Sequence, residues 1–214
     1  MKKVYFISGL GADRTVFNKL DLSFCEPVFL DWITPHKKES LRDYALRLSS
    51  KIEEPDATII GLSMGGMMAS EIVKENPGMK AIIISSNRIA KEFPPYTRFS
   101  IKYLPLYQLT TKTILRIIFP MTCWVMGAKS KTDKKHLWSV ISRVDLSFVK
   151  WCIWSIGRWN LKTPQPNVIH IHGSSDNLLP YRYVKPDYTI PGGGHLMVMN
   201  KAADISALLK KLCQ

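Results

Sequence analysis

The sequence contains no Cys-x-x-Cys pair. Its four cysteines, Cys25, Cys123, Cys152 and Cys213, are scattered. That spacing carries no metal or redox signature and points to reduced thiols in a cytoplasm. No apolar run approaches the roughly 18 residues of a membrane span. The opening Met1-Lys2-Lys3 and the apolar residues after it read as a strand, not a signal peptide. Gly9, Gly11 and Asp13 interrupt them early, and no small-residue cleavage site follows. No phosphate loop, dinucleotide fingerprint or metal-ligand cluster is present, so neither metal nor cofactor is expected. Acids are scarce, with 17 Asp and Glu against 30 Lys and Arg. The chain is otherwise that of a globular protein, 46% hydrophobic and 22% charged, and its 214 residues suffice for one domain with a large core.

What is present is organised around Gly61-Leu62-Ser63-Met64-Gly65. The apolar run Ala57–Ile60 leads in, and a helix-like stretch from Met67 to Asn76 follows. Gly-x-Ser-x-Gly between a strand and a helix is a nucleophile elbow. The turn is tight enough to strain the serine backbone, and side chains at 61 and 65 would strike neighbouring elements. The hydroxyl is thereby held out at the end of the strand, beside a helix N-terminus whose amides can meet a developing oxyanion.

Further strands are expected over Val4–Ser8, Pro27–Asp31, Lys80–Ser86, Val168–His172 and Tyr188–Ile190, with amphipathic helices over Ser40–Ile52 and Ala202–Leu212. Short alternating strands and helices imply an α/β fold with a mostly parallel six-stranded sheet, helices on both faces. Residues 88–160 break the pattern. They are helical in character and cut by Pro94-Pro95, Pro105 and Pro120. They hold 13 of the 30 basic residues but only three acids, Glu92, Asp133 and Asp145, and 12 of the 22 aromatic residues, five of the six tryptophans among them. One domain is therefore expected, with a core of 1–87 and 161–214 and a helical insertion over 88–160.

Three polar residues follow strand ends: Ser63, Asp176 in Gly173-Ser174-Ser175-Asp176, and His195 in Gly192-Gly193-Gly194-His195. Functional groups collect at the carboxyl ends of such strands. A serine hydroxyl needs a base to take its proton, and the base needs a third group to fix its tautomer. With the order Ser, Asp, His, the chain resembles the α/β-hydrolase family over nearly its whole length. The resemblance implies a triad of Ser63, His195 and Asp176, a strand order of 2-1-3-4-5-6 with two early strands missing, and a variable cap in place of 88–160. It also implies an oxyanion hole from the backbone amides of Met64 and Leu10. Ser8-Gly9 stands where the family commonly has His-Gly, but the donor is a backbone group.

Asp176 is preferred as the acid to Asp187, which precedes its strand, and to Asp145, which lies in the insertion. An aspartate in a Gly-Ser-Ser turn can also be only a turn former. His170 and His172 share a strand face and read as packing or supporting residues. His36 and His136 show no partner spacing. Asp13 and Arg14, near the oxyanion loop, read as a solvated pair. Two functions stay open. One is a cofactor-independent serine hydrolase of a carboxylic ester or thioester with a small or medium acyl group, with lyase or cofactor-free peroxidase chemistry as variants on the same fold. The other is a non-catalytic protein whose basic, aromatic insertion binds anionic lipid or nucleic acid. The first is preferred, with a small-molecule acyl substrate carrying an anionic group and no nucleic acid partner. In that reading the surplus aromatic residues line an apolar pocket above Ser63, and surrounding Lys and Arg hold or attract the anion.

Overall fold

The computed structural model describes residues 1–213. Six strands form one parallel sheet in the order β2-β1-β3-β4-β5-β6: β1 (Lys3–Ile7), β2 (Glu26–Phe29), β3 (Thr58–Leu62), β4 (Lys80–Ile84), β5 (Val168–Gly173) and β6 (Tyr188–Ile190). The central strands are short runs of β-branched and aromatic residues with apolar side chains on both faces, as a sheet covered on both sides requires. β2 ends two residues before the expected Asp31, and Pro27 is tolerated because β2 is an edge strand.

The two faces carry separate apolar layers. Tyr5, Ile7, Ile59 and Ile83 point toward α1 (Leu41–Ser49) and α2 (Met64–Glu75). Val4, Phe6, Ile60, Ile82 and Ile84 point toward the 3-10 turn Arg14–Phe17, α8 (Met197–Asn200) and α9 (Ala202–Cys213). The strand alternation of side chains accounts for this split. α1 is capped by Ser40, whose Oγ accepts from the Asp43 amide at 3.1 Å.

Between β4 and β5 the chain forms five helices: α3 (Pro95–Tyr103), α4 (Lys112–Ile117), α5 (Phe119–Met126), α6 (Lys131–Arg143) and α7 (Leu146–Arg158). α7 joins the α1–α2 layer through buried Phe148, Trp151 and Cys152, and the Trp151 indole donates to the Glu39 carbonyl at 3.0 Å. α5 and α6 join the opposite layer through Cys123 and Leu137. In contrast, no residue from 95 to 122 is buried. Among the described residues, no helix is long and apolar enough to cross a membrane.

The sheet order reverses between β1 and β3, so the loops after these two strands diverge and leave a crevice. Those loops carry Leu10 and Ser63.

Candidate active site

α2 starts at Met64, three residues before the expected start, so Ser63 is its N-terminal flanking residue. Its backbone lies at φ 52°, a region that side chains rarely occupy. The Ser63 amide donates to the Ile84 carbonyl at 2.9 Å, and Ser86 Oγ donates to the Ser63 carbonyl at 2.7 Å. Both neighbouring glycines are sterically required. A Cβ on Gly61 would strike the backbone of Gly65 and Gly66, and one on Gly65 would strike the carbonyls of Ile7 and Ser8.

The loops after β5 and β6 converge on the serine. His195 Nε2 lies 3.0 Å from Ser63 Oγ, and its Nδ1 lies 2.8 Å from Asp176 Oδ2. The other carboxylate oxygen, Oδ1, accepts from the amides of Leu178 at 2.9 Å and Leu179 at 2.8 Å. Asp176 and His195 are buried. Burial opposes ionisation of Asp176, but His195 and the donated hydrogen bonds outweigh it and hold the carboxyl below its usual range. An ionised acid on Nδ1 leaves Nε2 of the neutral ring free to accept the serine proton. The two loops are joined by the Ser175 amide on the Gly193 carbonyl at 2.9 Å, and a Cβ on Gly173 would strike Gly193.

The Leu10 and Met64 amides find no acceptor among the described residues. A Cβ on Gly9 would stand 3.4 Å from Ser63 Cβ, so the first loop passes directly beside the serine. That loop is braced through the Ala12 carbonyl, which accepts from Ser8 Oγ and Trp32 Nε1, each at 2.7 Å.

Ser63, His195 and Leu10 face one cavity of about 240 Å³. Its far wall comes from the helices between β4 and β5: Leu115 of α4, Thr122 and Met126 of α5, then His136, Leu137, Val140 and Ile141 of α6. The expected aromatic lining is absent. Among the described residues, no Phe, Tyr or Trp lines this cavity, and neither does any Lys or Arg. The aromatic side chains are divided between the core, where Trp151 and Trp159 are buried, and the outer surface, where Phe99 and Trp124 are exposed. The 136, 137, 140, 141 spacing is the inward face of α6, and this helical period is the signal that could have placed His136 in the site. α5 also meets the reactive loops. Its Met126 carbonyl accepts from the Leu196 amide at 3.1 Å, and the Gly127 carbonyl from Asn200 Nδ2 at 3.1 Å.

The remaining candidates have structural partners. Asp187 accepts from the His170 amide at 2.7 Å and pairs with Arg88, at the opposite end of the sheet's strands from the serine. Asp145 flanks α7 and accepts from the Ser147 amide at 2.8 Å. Asp13 accepts from the Thr15 amide at 3.0 Å and lies 3.5 Å from Arg143. Arg14 is exposed.

No family model and no curated protein sequence matches the chain. Solved structures match nearly all of it. A thermophilic esterase from Thermogutta terrifontis superposes with a TM-score of 0.73 at 15% identity, covering 100% of this chain and 89% of that one. An esterase from Exiguobacterium antarcticum gives 0.77 at 12% identity, covering 99% and 91%. A protein of Mycobacterium tuberculosis H37Rv, provisionally named a non-heme bromoperoxidase, gives 0.77 at 14% identity, also covering 99% and 91%. A parallel sheet of this order, with its reactive loops at the carboxyl ends of the strands, defines a doubly wound α/β architecture. The particular version found here is the α/β-hydrolase fold.

Behind the acid lie two fully buried histidines of β5. His172 Nε2 donates to the Leu179 carbonyl at 2.8 Å, which leaves Nδ1 to accept from His170 Nε2 at 3.1 Å. His172 also lies 3.6 Å from Asp176 Oδ2, so it bounds the acid loop from below. Burial lowers both pKa values, that of His170 to about 2, with the neighbouring His172 and Arg88 adding to it. In the unfolded chain each imidazole takes up a proton near pH 6.5, whereas in the folded chain it stays neutral. Stability is therefore complete above about pH 6.5 and falls as the pH drops below it, by up to roughly 1.4 kcal/mol per pH unit for His170, with His172 acting in the same direction. Urea unfolding between pH 7.5 and pH 5 should show this slope, and His170→Asn should remove its share. A midpoint that does not move over that range would show that the two rings are not held neutral.

Proposed function

We propose that the protein is a cofactor-independent serine hydrolase acting on a carboxylic ester or thioester. The observation that carries this reading is the continuous row Asp176–His195–Ser63, at 2.8 and 3.0 Å, ending on a strained serine that faces an apolar cavity. In this reading Ser63 Oγ attacks the substrate carbonyl while His195 Nε2 takes its proton. The imidazolium so formed is stabilised by Asp176, and the tetrahedral oxyanion is met by the Leu10 and Met64 amides. His195 then returns the proton to the leaving oxygen or sulfur. Water repeats the sequence on the acyl-enzyme and restores the serine.

The helices between β4 and β5 act as the cap over this chemistry. Scaled from a 150 Å³ apolar cavity that holds benzene, the cavity of about 240 Å³ takes roughly ten non-hydrogen atoms, a small to medium acyl group. His136 Nε2 is buried with no hydrogen-bond partner and is the polar group offered to that acyl chain from α6. In this reading an anionic part of the substrate sits outside, in the adjoining cleft lined by Lys37, Lys38 and Arg143, with Asp13 and Asp145 also on its wall. A purely binding role leaves a complete proton relay without use, and nothing in the site favours it.

A fluorophosphonate probe should label the wild type and leave Ser63→Ala unlabelled. The variant should melt as the wild type does and lose turnover of an aryl ester by roughly 10⁴- to 10⁶-fold. Wild-type turnover in that variant would overturn the assignment of the nucleophile. Asp176→Asn should fold and turn over about 10⁴-fold more slowly, because an amide favours the wrong tautomer of His195. A larger loss in Asp187→Asn or Asp145→Asn would mean that a different acid serves. Matched neutral and anionic esters, assayed from low to high salt, check the charge preference. The anionic ester should be favoured at low salt only, and equal rates there would leave the cap as an apolar lid.

A further inference from the structure

The exposed apolar side chains are gathered in one stretch of the chain. Of the 13 large hydrophobic residues exposed among the described residues, ten lie between Tyr96 and Trp124. Leu178 and Tyr181 follow β5, at the same end of the sheet as Ser63. Leu106, Ile117 and Trp124 are 70%, 72% and 68% exposed, fractions with which a folded chain in water gains nothing. Single exposed apolar residues are ordinary, but a run of this length marks an interaction surface.

The same stretch carries charge of one sign only. From Phe93 to Thr132 there is no Asp or Glu, while Arg98, Lys102, Lys112, Arg116, Lys129 and Lys131 are present. Basic side chains interleaved with exposed leucine, isoleucine, tyrosine and tryptophan match the boundary between anionic headgroups and acyl chains. Aromatic rings with a polar edge settle at that depth. Nucleic acid suits the observations less well. Its phosphates would engage the cations and its bases the rings, but Leu104, Leu106, Leu109, Ile117 and Met121 would stay in water. A second copy of this chain would bring together two surfaces of like charge on molecules of net charge +13.

The surface is also joined to the cavity. α4 exposes Ile117 and turns Leu115 to the cavity, and α5 exposes Met121 and Trp124 and turns Thr122 and Met126 to it. One thin layer of helix therefore separates the apolar exterior from the space above Ser63. We propose that residues 95–126 dock on an anionic lipid bilayer, and that the cavity above Ser63 receives acyl substrates carried in that bilayer. The docking is independent of the chemistry at Ser63, whereas the source of substrate rests on the hydrolase reading.

The test is sedimentation of the full chain with vesicles of phosphatidylcholine, alone or mixed with phosphatidylserine. Wild type and Ser63→Ala should partition equally onto the mixed vesicles and far more weakly onto phosphatidylcholine. Partitioning should fall between about 0.1 M and 1 M salt, as the Debye length shrinks from roughly 10 to 3 Å. The pair Ile117→Ser and Trp124→Ser, both outside the cavity, should weaken it about tenfold or more. Lys102→Gln and Arg116→Gln should each cost about fivefold. Leu106→Ser with Leu109→Ser is a second apolar pair, so a folding defect in the first, visible in its melt, does not decide the matter. No partitioning at low salt, equal partitioning onto both vesicles, or indifference to both apolar pairs in folded protein would overturn the proposal. Equal partitioning would assign the contact to apolar adsorption without charge, and indifference to the apolar pairs would assign it to general charge. Loss of probe labelling with vesicle binding intact would instead point at the hydrolase reading alone.

Discussion

The approach of α2 to the backs of β1 and β3 is the contact on which the site depends. It is a contact of backbone with backbone, possible only because positions 61 and 65 lack side chains. Held at that distance, the chain can leave β3 and enter α2 only by turning through φ 52° at Ser63. Such a conformation costs of order 1–3 kcal/mol and persists only when its surroundings over-determine it. Here they do. The Ser63 amide is bound to β4, its carbonyl accepts from Ser86 Oγ and from the Gly66 and Met67 amides, and the sheet on either side is fully buried. Strain and exposure of the hydroxyl are one event, because relaxing the turn would withdraw Oγ from the cavity.

The partners of the serine are held by an equally close crossing. Gly173 at the end of β5 and Gly193 after β6 meet backbone to backbone, and this brings the acid and the base to 2.8 Å although 19 residues separate them. The acid is fixed three times over, by two amides on Oδ1 and by His195 on Oδ2, and its loop is tied from below by His172 on the Leu179 carbonyl. A buried carboxylate so supplied stays ionised despite its burial, and the orientation of the base follows from it. Neutral histidines beneath the acid give the loop a hydrogen-bonded floor with no second charge to compete for His195. That arrangement ties the integrity of the site to pH through residues that do not line the cavity.

Much of this was legible in the sequence. Short β-branched runs placed the strands, and the order of the sheet followed from the resemblance that the elbow, the aspartate turn and the histidine loop carry to the α/β-hydrolase family. Asp176 and His195 could be read because each follows a strand directly. The helical segment was less legible. Its composition announced helices and positive charge, yet composition does not say which way a ring points when no residue from 95 to 122 is buried. The aromatic residues went to the core and to the outer surface, and the cavity was filled from aliphatic positions of α6, where a helical period was present and unused. The start of α2 was misplaced for a related reason. Glycines at 65 and 66 look like helix breakers in isolation, but here close packing requires them.

The hydrogen bonds from α5 to the reactive loops divide the helical segment into two parts of unequal stability. α5, α6 and α7 are fastened by Cys123, Leu137, Phe148 and Trp151 in the core, by the Met126 carbonyl to Leu196 in the loop that carries His195, and by the Gly127 carbonyl to Asn200 of α8. Residues 95–117 are held more lightly, by Ile101 against Gly157 of α7 and by Lys112 Nζ, which donates to the Ser142 and Val144 carbonyls at 2.8 and 2.7 Å. Their detachment uncovers less apolar surface than that of α5 to α7, so the free energy of local opening is graded along the segment, lower through α3 and α4 than through α7. In amide hydrogen exchange this would appear as a boundary near Ile118, with fast exchange before it and protection after it. The wall of the cavity is thus unequally held: Leu115 belongs to the more lightly fastened part, and His136 to the part fastened to the core.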